Sequence, residues 1–296
     1  MSSKPETRNS KLHVTIPFTK MVGTGNDFII VDARRDQFNG LSRRWSAVSQ
    51  ELCDRHNGIG ADGILVLQPS RAATAKMRVF NPDGSEAEMC GNGARCVALY
   101  LAQLRHATRD TRHANVTLET LAGMVPAEVR GNRVAMRMTD PTELQLNQTL
   151  EVNEETVRYG FVNTGVPHLV VPVPKLDALD VNRLGPPLRY HRRFAPRGAN
   201  VNFIQWDARR NCLLVRTYER GVEDETLACG TGVVAAAILH ALQAPRARTY
   251  RIEAQPKSGD RLIISFSVER DGPSWRISDV IMDGPAQRVF DGEVLV

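Results

Sequence analysis

No apolar run in this 296-residue chain approaches the ~18 residues that a membrane-spanning helix needs, so no membrane partner is expected. The first dozen residues, from Met1-Ser2-Ser3-Lys4-Pro5 onward, lack the apolar stretch of a secretory signal. They read as a frayed tail on a cytoplasmic protein. No Cys-x-x-C pair occurs, and the five cysteines are odd in number and sparse, which argues against a disulfide framework and a structural metal site. Net charge is +5, yet the densest basic stretch, from Arg105 to His113, has no interleaved aromatics and belongs to no recognised module. It reads as a solvated loop, and no nucleic-acid partner is expected. The glycine-rich run Gly23-Thr24-Gly25 does not lead into a helix, which excludes a dinucleotide fingerprint. Nothing near Lys20 supplies a phosphate cup, which argues against a Schiff base to pyridoxal phosphate.

What is present is an ordinary globular composition, 42% hydrophobic and 24% charged, on a chain long enough for two cores. Most of it reads as short strands rich in Val, Ile, Leu and Phe between turn residues. Strands are expected at 12–17, 28–32, 63–68, 76–81, 116–120, 133–138, 161–163, 169–172, 200–205, 211–217 and 262–268. Two segments break the rhythm, Ala94–Leu104 and Val233–Leu242, which are helical in propensity and apolar nearly all round. A helix without a polar face is buried on every side. The expectation is an α/β (α+β) protein in which two sheets each wrap a central apolar helix. Both helices follow the same punctuation, Cys90-Gly91-Asn92-Gly93 and Cys229-Gly230-Thr231-Gly232, 139 positions apart. That reads as an internal duplication with two-fold pseudosymmetry. The halves are 1–137 and 138–284, divided beside the polar turn at Asp140-Pro141.

A cysteine just before a helix meets unpaired backbone N–H groups and the positive end of the macrodipole. Such thiols can titrate between roughly 3.5 and 7.5 instead of about 8.5. The flanking glycines admit a ligand to the backbone, and the same N–H groups can hold a carboxylate. Two such sites, facing each other across an interdomain cleft, suit inversion of a stereocentre: a base on one face of a carbon, an acid on the other. Two close thiols titrate as a pair and favour the singly ionised state. Cys53, Cys96 and Cys212 are expected to be small buried hydrophobes.

Singly, the remaining polar clusters are ordinary turns. Together and in order, they resemble diaminopimelate epimerase. The motifs are Lys20-Met21-x-Gly23-x-Gly25-Asn26-Asp27-Phe28, Arg55-x-x-Gly58-x-Gly60-x-Asp62, Phe80-Asn81-x-Asp83-Gly84-Ser85-Glu86, Cys90 through Cys96, and Glu219-Arg220-Gly221 leading to Cys229. The resemblance runs from about Leu12 to the C-terminus.

It implies two similar domains with mainly antiparallel curled sheets, the site between them, and a last strand at 285–296 that returns to the first domain. It implies conversion of LL- to meso-diaminopimelate for lysine and peptidoglycan precursor synthesis, without pyridoxal phosphate, metal or nucleotide, by a homodimer. Cys90 and Cys229 match the catalytic thiols. Asn26, Asn81 and Asn200 match substrate-binding asparagines, and Gly91-Asn92 and Gly230-Thr231 match the carboxylate cradle. Glu219 and Arg220 match groups at the amino and carboxylate ends of the substrate, and His168 matches a histidine beside the reacting centre. Without the resemblance, His168 reads as a loop histidine and Glu219 and Arg220 as a surface ion pair. Three departures stand out: Val166 where many members carry asparagine, Gly63 where some carry glutamine, and one extra residue between Glu219 and Cys229. The rival readings are a proline or hydroxyproline racemase and a non-enzymatic thiol switch.

Overall fold

The computed structural model describes residues 14–35, 38, 44–106, 113–272 and 274–296. The expected N-terminal tail and residues 107–112 of the expected basic loop lie outside the described residues; of that loop, Arg105 and His106 belong instead to the end of a helix and His113 to the start of a strand. The first half runs β1 (Thr15–Gly23), β2 (Asn26–Asp32), α1 (Trp45–Cys53), β3 (Gly63–Gln68), β4 (Ala75–Phe80), β5 (Glu86–Ala87), α2 (Gly91–His106), β6 (His113–Thr120), β7 (Gly123–Arg130) and β8 (Arg133–Arg137). The second runs β9 (Thr142–Val152), β10 (Glu155–Asn163), β11 (Pro167–Pro172), α3 (Val181–Arg189), β12 (Asn200–Asp207), β13 (Cys212–Glu219), β14 (Asp224–Thr226), α4 (Gly230–Leu242), β15 (Thr249–Pro256), β16 (Leu262–Asp271) and β17 (Ser274–Pro285). A last strand, β18 (Gln287–Leu295), follows.

Strand pairing repeats from one half to the other. The antiparallel pairs β1–β2, β3–β4, β6–β7 and β7–β8 have counterparts in β10–β11, β12–β13, β15–β16 and β16–β17. The parallel pairs β2–β3 and β4–β6 have counterparts in β11–β12 and β13–β15. Parallel neighbours need a long crossover, and each of these four is bridged by one helix, α1 to α4 in turn. The two halves meet where β8 pairs with β17. The strand that follows each such set crosses over: β9 comes after β8 but pairs with β10, and β18 comes after β17 but pairs with β1.

Burial follows the period of two that a half-covered sheet requires. β6 and β15, which occupy matching places, show the same alternation along eight residues, with Val116, Leu118, Ile252 and Ala254 turned inward. The inward faces close over α2 and α4, which share one hydrophobic cluster that includes Val97, Ala98, Leu101, Ala235, Ile238 and Leu239. Smaller cores lie outside the sheets. One holds Trp45, Val48 and Leu52 of α1 against Ile16, Ile29 and Ile64, and the other holds Val181 and Leu188 of α3 against Leu169, Val201 and Phe203.

α1 and α3 were not legible beforehand, and neither were β7, β9, β15 and β17. α3 contains Gly185, Pro186 and Pro187, which oppose helix propensity. Its Gly185 is needed because a Cβ there would lie 2.4 Å from the Tyr218 ring. The reading of α2 as apolar nearly all round also needs amending, since Arg95 is fully buried within it.

Candidate active site

Both cysteines stand where the chain turns into a central helix. Cys229 is the residue before α4, with extended backbone, and Cys90 precedes Gly91, the first residue of α2. All five cysteines are free thiols, with Cys53, Cys96 and Cys212 in the core and Cys90 more accessible than Cys229.

The two helix starts converge. Asn92 Nδ2 lies 3.5 Å from the carbonyl of Ala228, across 136 residues of chain. A Cβ placed on Gly230 would come within 3.7 Å of Asn92 Oδ1, and one on Gly91 or Gly230 would press on the Met282 methyl at 3.3 or 3.2 Å. Glycine at those positions keeps the junction open at backbone level.

Around Cys90, the Gly93 N–H points to Sγ at 3.5 Å. Arg95, buried and without a carboxylate partner among the described residues, donates to Asn92 Oδ1 at 2.6 Å and to the Thr24 hydroxyl. Asn92 Nδ2 then donates to Asn26 Oδ1 at 2.6 Å, and Asn26 Nδ2 to Asp62 at 2.9 Å. Asp62 and Asp27 are both held by Arg55, and Asp27 also by the buried Lys20. The motif around residues 20–28 and the motif around 55–62 are therefore one polar network that fixes Asn26.

Around Cys229, Thr231 Oγ1 is 3.5 Å from Sγ and 3.0 Å from His168 Nε2. His168 Nδ1 is 3.1 Å from Asn202 Nδ2, and Asn202 Oδ1 accepts from Thr217 at 2.9 Å. Glu219 lies against the Cys229 thiol and accepts from Thr226 at 2.8 Å. Asn200 is buried, and its Oδ1 accepts from the Arg220 backbone N–H at 2.8 Å. Asn81 sits in the turn after β4, bonded to Ser85 through both its side chain and its backbone.

Three expectations change. His168 is fully buried on β11, not in a loop. Glu219 and Arg220 are half-buried and form no ion pair with each other. The thiols are not lowered by their helix ends: burial pushes both above the ordinary range. For Cys90, the Gly93 N–H and the Arg95 charge oppose burial, while Glu219 adds to it. For Cys229, the adjacent Glu219 carboxylate reinforces burial, with only Thr231 and the Gly232 N–H in opposition. Burial also raises Glu219 and lowers His168 to about 3. Arg220 has no carboxylate partner among the described residues. Burial and the nearby charges of Arg189 and Arg197 hold its pKa down, against the opposing charge of Glu223.

Asn202, Thr217 and Arg95 were missed. Asn202 was detectable as a second asparagine two residues after Asn200, on the same face of an otherwise apolar strand. Arg95 was detectable as the lone charge near the start of an apolar helix.

The family model of diaminopimelate epimerase matches residues 18–144 and 160–289. A diaminopimelate epimerase of Aquifex aeolicus is 39% identical over 286 residues, covering 94% of this chain and 97% of its own. One of Methanocella arvoryzae is 40% identical over 295 residues, covering 94% and 96%. Among solved structures, a hydroxyproline epimerase from Agrobacterium vitis, with trans-4-hydroxy-L-proline bound, superposes with a TM-score of 0.70 at 17% identity, covering 95% of this chain and 93% of its own. A PhzF-family phenazine biosynthesis protein of Bacillus anthracis gives 0.69 at 20% identity, covering 96% and 100%. Those two share the fold. The match over both halves, with both helix-start cysteines inside it, shows that the chain belongs to the diaminopimelate epimerase family.

Proposed function

We propose that this enzyme interconverts LL- and meso-2,6-diaminopimelate with Cys90 and Cys229 as the two acid–base groups on opposite faces of one α-carbon. The observation that carries the reading is the convergence of the two helix starts, linked by Asn92 and the Ala228 carbonyl. One thiolate removes the α-proton while the opposite thiol delivers one, and reversal of the two protonation states runs the reaction backward. Such groups are worth about 10²–10⁴-fold each. The N-termini of α2 and α4 cradle the carboxylate beside the reacting carbon, through the backbone of Gly91-Asn92 and Gly230-Thr231. Their dipoles stabilise the negative charge that develops there.

Raised pKa values on both thiols suit this role, because a thiolate formed in a buried site is a stronger base than one in water. The difference between the environments supports a resting state with the shared proton on Cys229. Arg95 favours negative charge at Cys90, and Glu219 disfavours it at Cys229. The remote end of the substrate meets Arg220, whose guanidinium can grip a carboxylate in two-pronged geometry, with Asn26, Asn81 and Asn200 satisfying the remaining polar groups. Glu219 receives the ammonium group at the reacting centre. Val166 and Gly63 supply no such contacts, so Arg220 carries more of the distal recognition. Residues 1–137 with 285–296 form one domain and 138–284 the other. The β18–β1 pairing and the repeated strand order support that division. Among the described residues no helix is long and apolar enough to cross a membrane. The reading is completed by a cytoplasmic homodimer whose thiols stay reduced, its mass open to sedimentation equilibrium.

The deciding experiment is incubation with LL-diaminopimelate in D₂O. Deuterium at the α-carbon and appearance of the meso isomer are expected, with no exchange on L-proline. Exchange on proline but not on diaminopimelate would instead support the proline racemase reading.

A further inference from the structure

The polar chain behind Cys229 has a direction, and Asn202 sets it. Asn202 is fully buried on β12. Its Nδ2 donates to the Leu169 carbonyl at 2.9 Å, and its Oδ1 accepts from the Thr217 hydroxyl at 2.9 Å. Both ends of the amide are thereby assigned, because a flipped amide would set its oxygen against the Leu169 oxygen. The second Nδ2 hydrogen then meets His168 Nδ1 at 3.1 Å, which must accept it with a lone pair. A neutral imidazole whose Nδ1 accepts carries its proton on Nε2. That Nε2–H donates to Thr231 Oγ1 at 3.0 Å, and the single Thr231 proton is left for Cys229 Sγ, 3.5 Å away.

We propose that Asn202 is a positioning residue that locks His168 as a neutral Nε2–H donor, so that the Thr231 hydroxyl is always free to donate to a Cys229 thiolate. The proposal rests on Cys229 being a catalytic thiol. It removes His168 as a base for that thiol. When Cys229 is protonated, its proton turns to the Glu219 carboxylate that lies against it, while Thr231 accepts from His168. When Cys229 is ionised, Thr231 turns its proton to the sulfur. The opposite tautomer would draw that proton to Nε2 and leave the thiolate with the Gly232 N–H alone. Burial, aided by the charge of Arg220, keeps His168 neutral down to about pH 3.

The duplication supplies an internal control. Register places Phe28 opposite Gly63 as His168 stands opposite Asn200, and Leu65 opposite Val79 as Asn202 stands opposite Thr217. A Cβ on Gly93 would strike Leu65 at 3.0 Å, and one on Gly232 would strike Asn202 at 2.2 Å. The first half thus holds Phe28, Leu65 and Val79 where the second holds His168, Asn202 and Thr217. Among the described residues, no such relay stands behind Cys90.

The groups that face this chain are Glu219 and Cys90 at the thiol and Arg220 at the imidazole, and all three are kept in the test. In ¹⁵N-histidine-labelled wild type, the His168 signals (identified by their loss in His168→Gln) are expected to show the Nε2–H tautomer from pH 9 to pH 5. An Nδ1–H tautomer overturns the proposal. Iodoacetamide labelling of each thiol, counted by peptide mass, gives the second readout. Asn202→Leu copies the residue of the first half and adds no charge. It is expected to raise the midpoint pH for Cys229 alkylation by about one unit, or roughly ten-fold slower labelling below the midpoint, without moving Cys90. No shift, or an equal shift of both thiols, overturns the proposal. Asn202→Asp, whose carboxylate calls for an Nδ1–H partner, should reverse the tautomer and shift Cys229 further. If neither variant folds, the wild-type spectrum alone decides. None of these readouts needs turnover, so a wild type that leaves diaminopimelate unchanged would defeat the proposed function and not this inference.

Discussion

The two halves share a backbone plan and differ in what stands behind each thiol. Cys90 is backed by the buried guanidinium of Arg95, whereas the matching position of α4, counted from the cysteine, is Val234. Cys229 is backed by Glu219 and by the Thr231–His168–Asn202–Thr217 chain, where the first half has Asn92, Phe28, Leu65 and Val79. The same correspondence sets Asn26 against Val166 and Gly63 against Asn200. Duplication therefore fixed where the thiols and glycines stand, while divergence of the side chains behind them made the two faces electrostatically unequal. Inversion needs two like groups in mirror-related places and one proton between them. In the proposed two-thiol mechanism, unequal surroundings decide where that proton rests.

The largest effects should come from the one feature that both halves keep. Cys90→Ala and Cys229→Ala are each expected to lower the epimerisation rate by at least ~10²-fold, and toward ~10⁴-fold, with the fold retained by circular dichroism. If either variant keeps more than a few per cent of the rate (a loose bound set by the worth of one such group), the halves are not equal partners in proton transfer. Next comes Arg220, proposed to hold the distal carboxylate and present in the second half alone. Arg220→Lys keeps the charge but loses the planar fork, and kcat/KM on LL-diaminopimelate should fall by ~10²-fold, within the about 2–5 kcal/mol scale of a broken buried charge pair. A near-normal variant would shift recognition back toward the asparagines.

A third test separates the halves by pH. His168 titrates near 3 when folded and 6.5 otherwise, so between these values the unfolded chain binds more protons. The stability this group contributes is complete above about pH 6.5 and is lost as pH falls toward 3, by up to about 1.4 kcal/mol per unit. His168→Gln should flatten that acid limb in urea titrations, while Phe28→Leu lowers stability at every pH alike. A wild-type-like limb in His168→Gln would mean that other groups set it. The smallest effect is expected from Val166→Asn, which restores the polar match to Asn26. KM should change a few-fold at most, on the scale of about one hydrogen bond, and a larger change would show that Val166 sits nearer the substrate than the remaining asparagines.

The sequence alone determined the two thiols, the glycines beside them and the two buried helices. Those features are local: a Cys-Gly-x-Gly step into an apolar helix states its own burial and its own exposed N–H groups. The cores of β2, β3, β4, β8 and β12 were legible for the same reason, as short apolar runs between turn residues. β9 and β17 were not, because their alternating polar residues look like surface until a partner strand defines the inward face. α3 was hidden by its prolines, and it forms because Val181 and Leu188 have a core to enter. Only the tertiary structure decided that His168 is buried, that Arg95 and Asn202 join the polar networks beside the two cysteines, and that the thiols are raised instead of lowered. Each of these depends on groups far apart in sequence. Desolvation grows with everything packed around a thiol, and here it outweighs the one helix end that the local sequence announces.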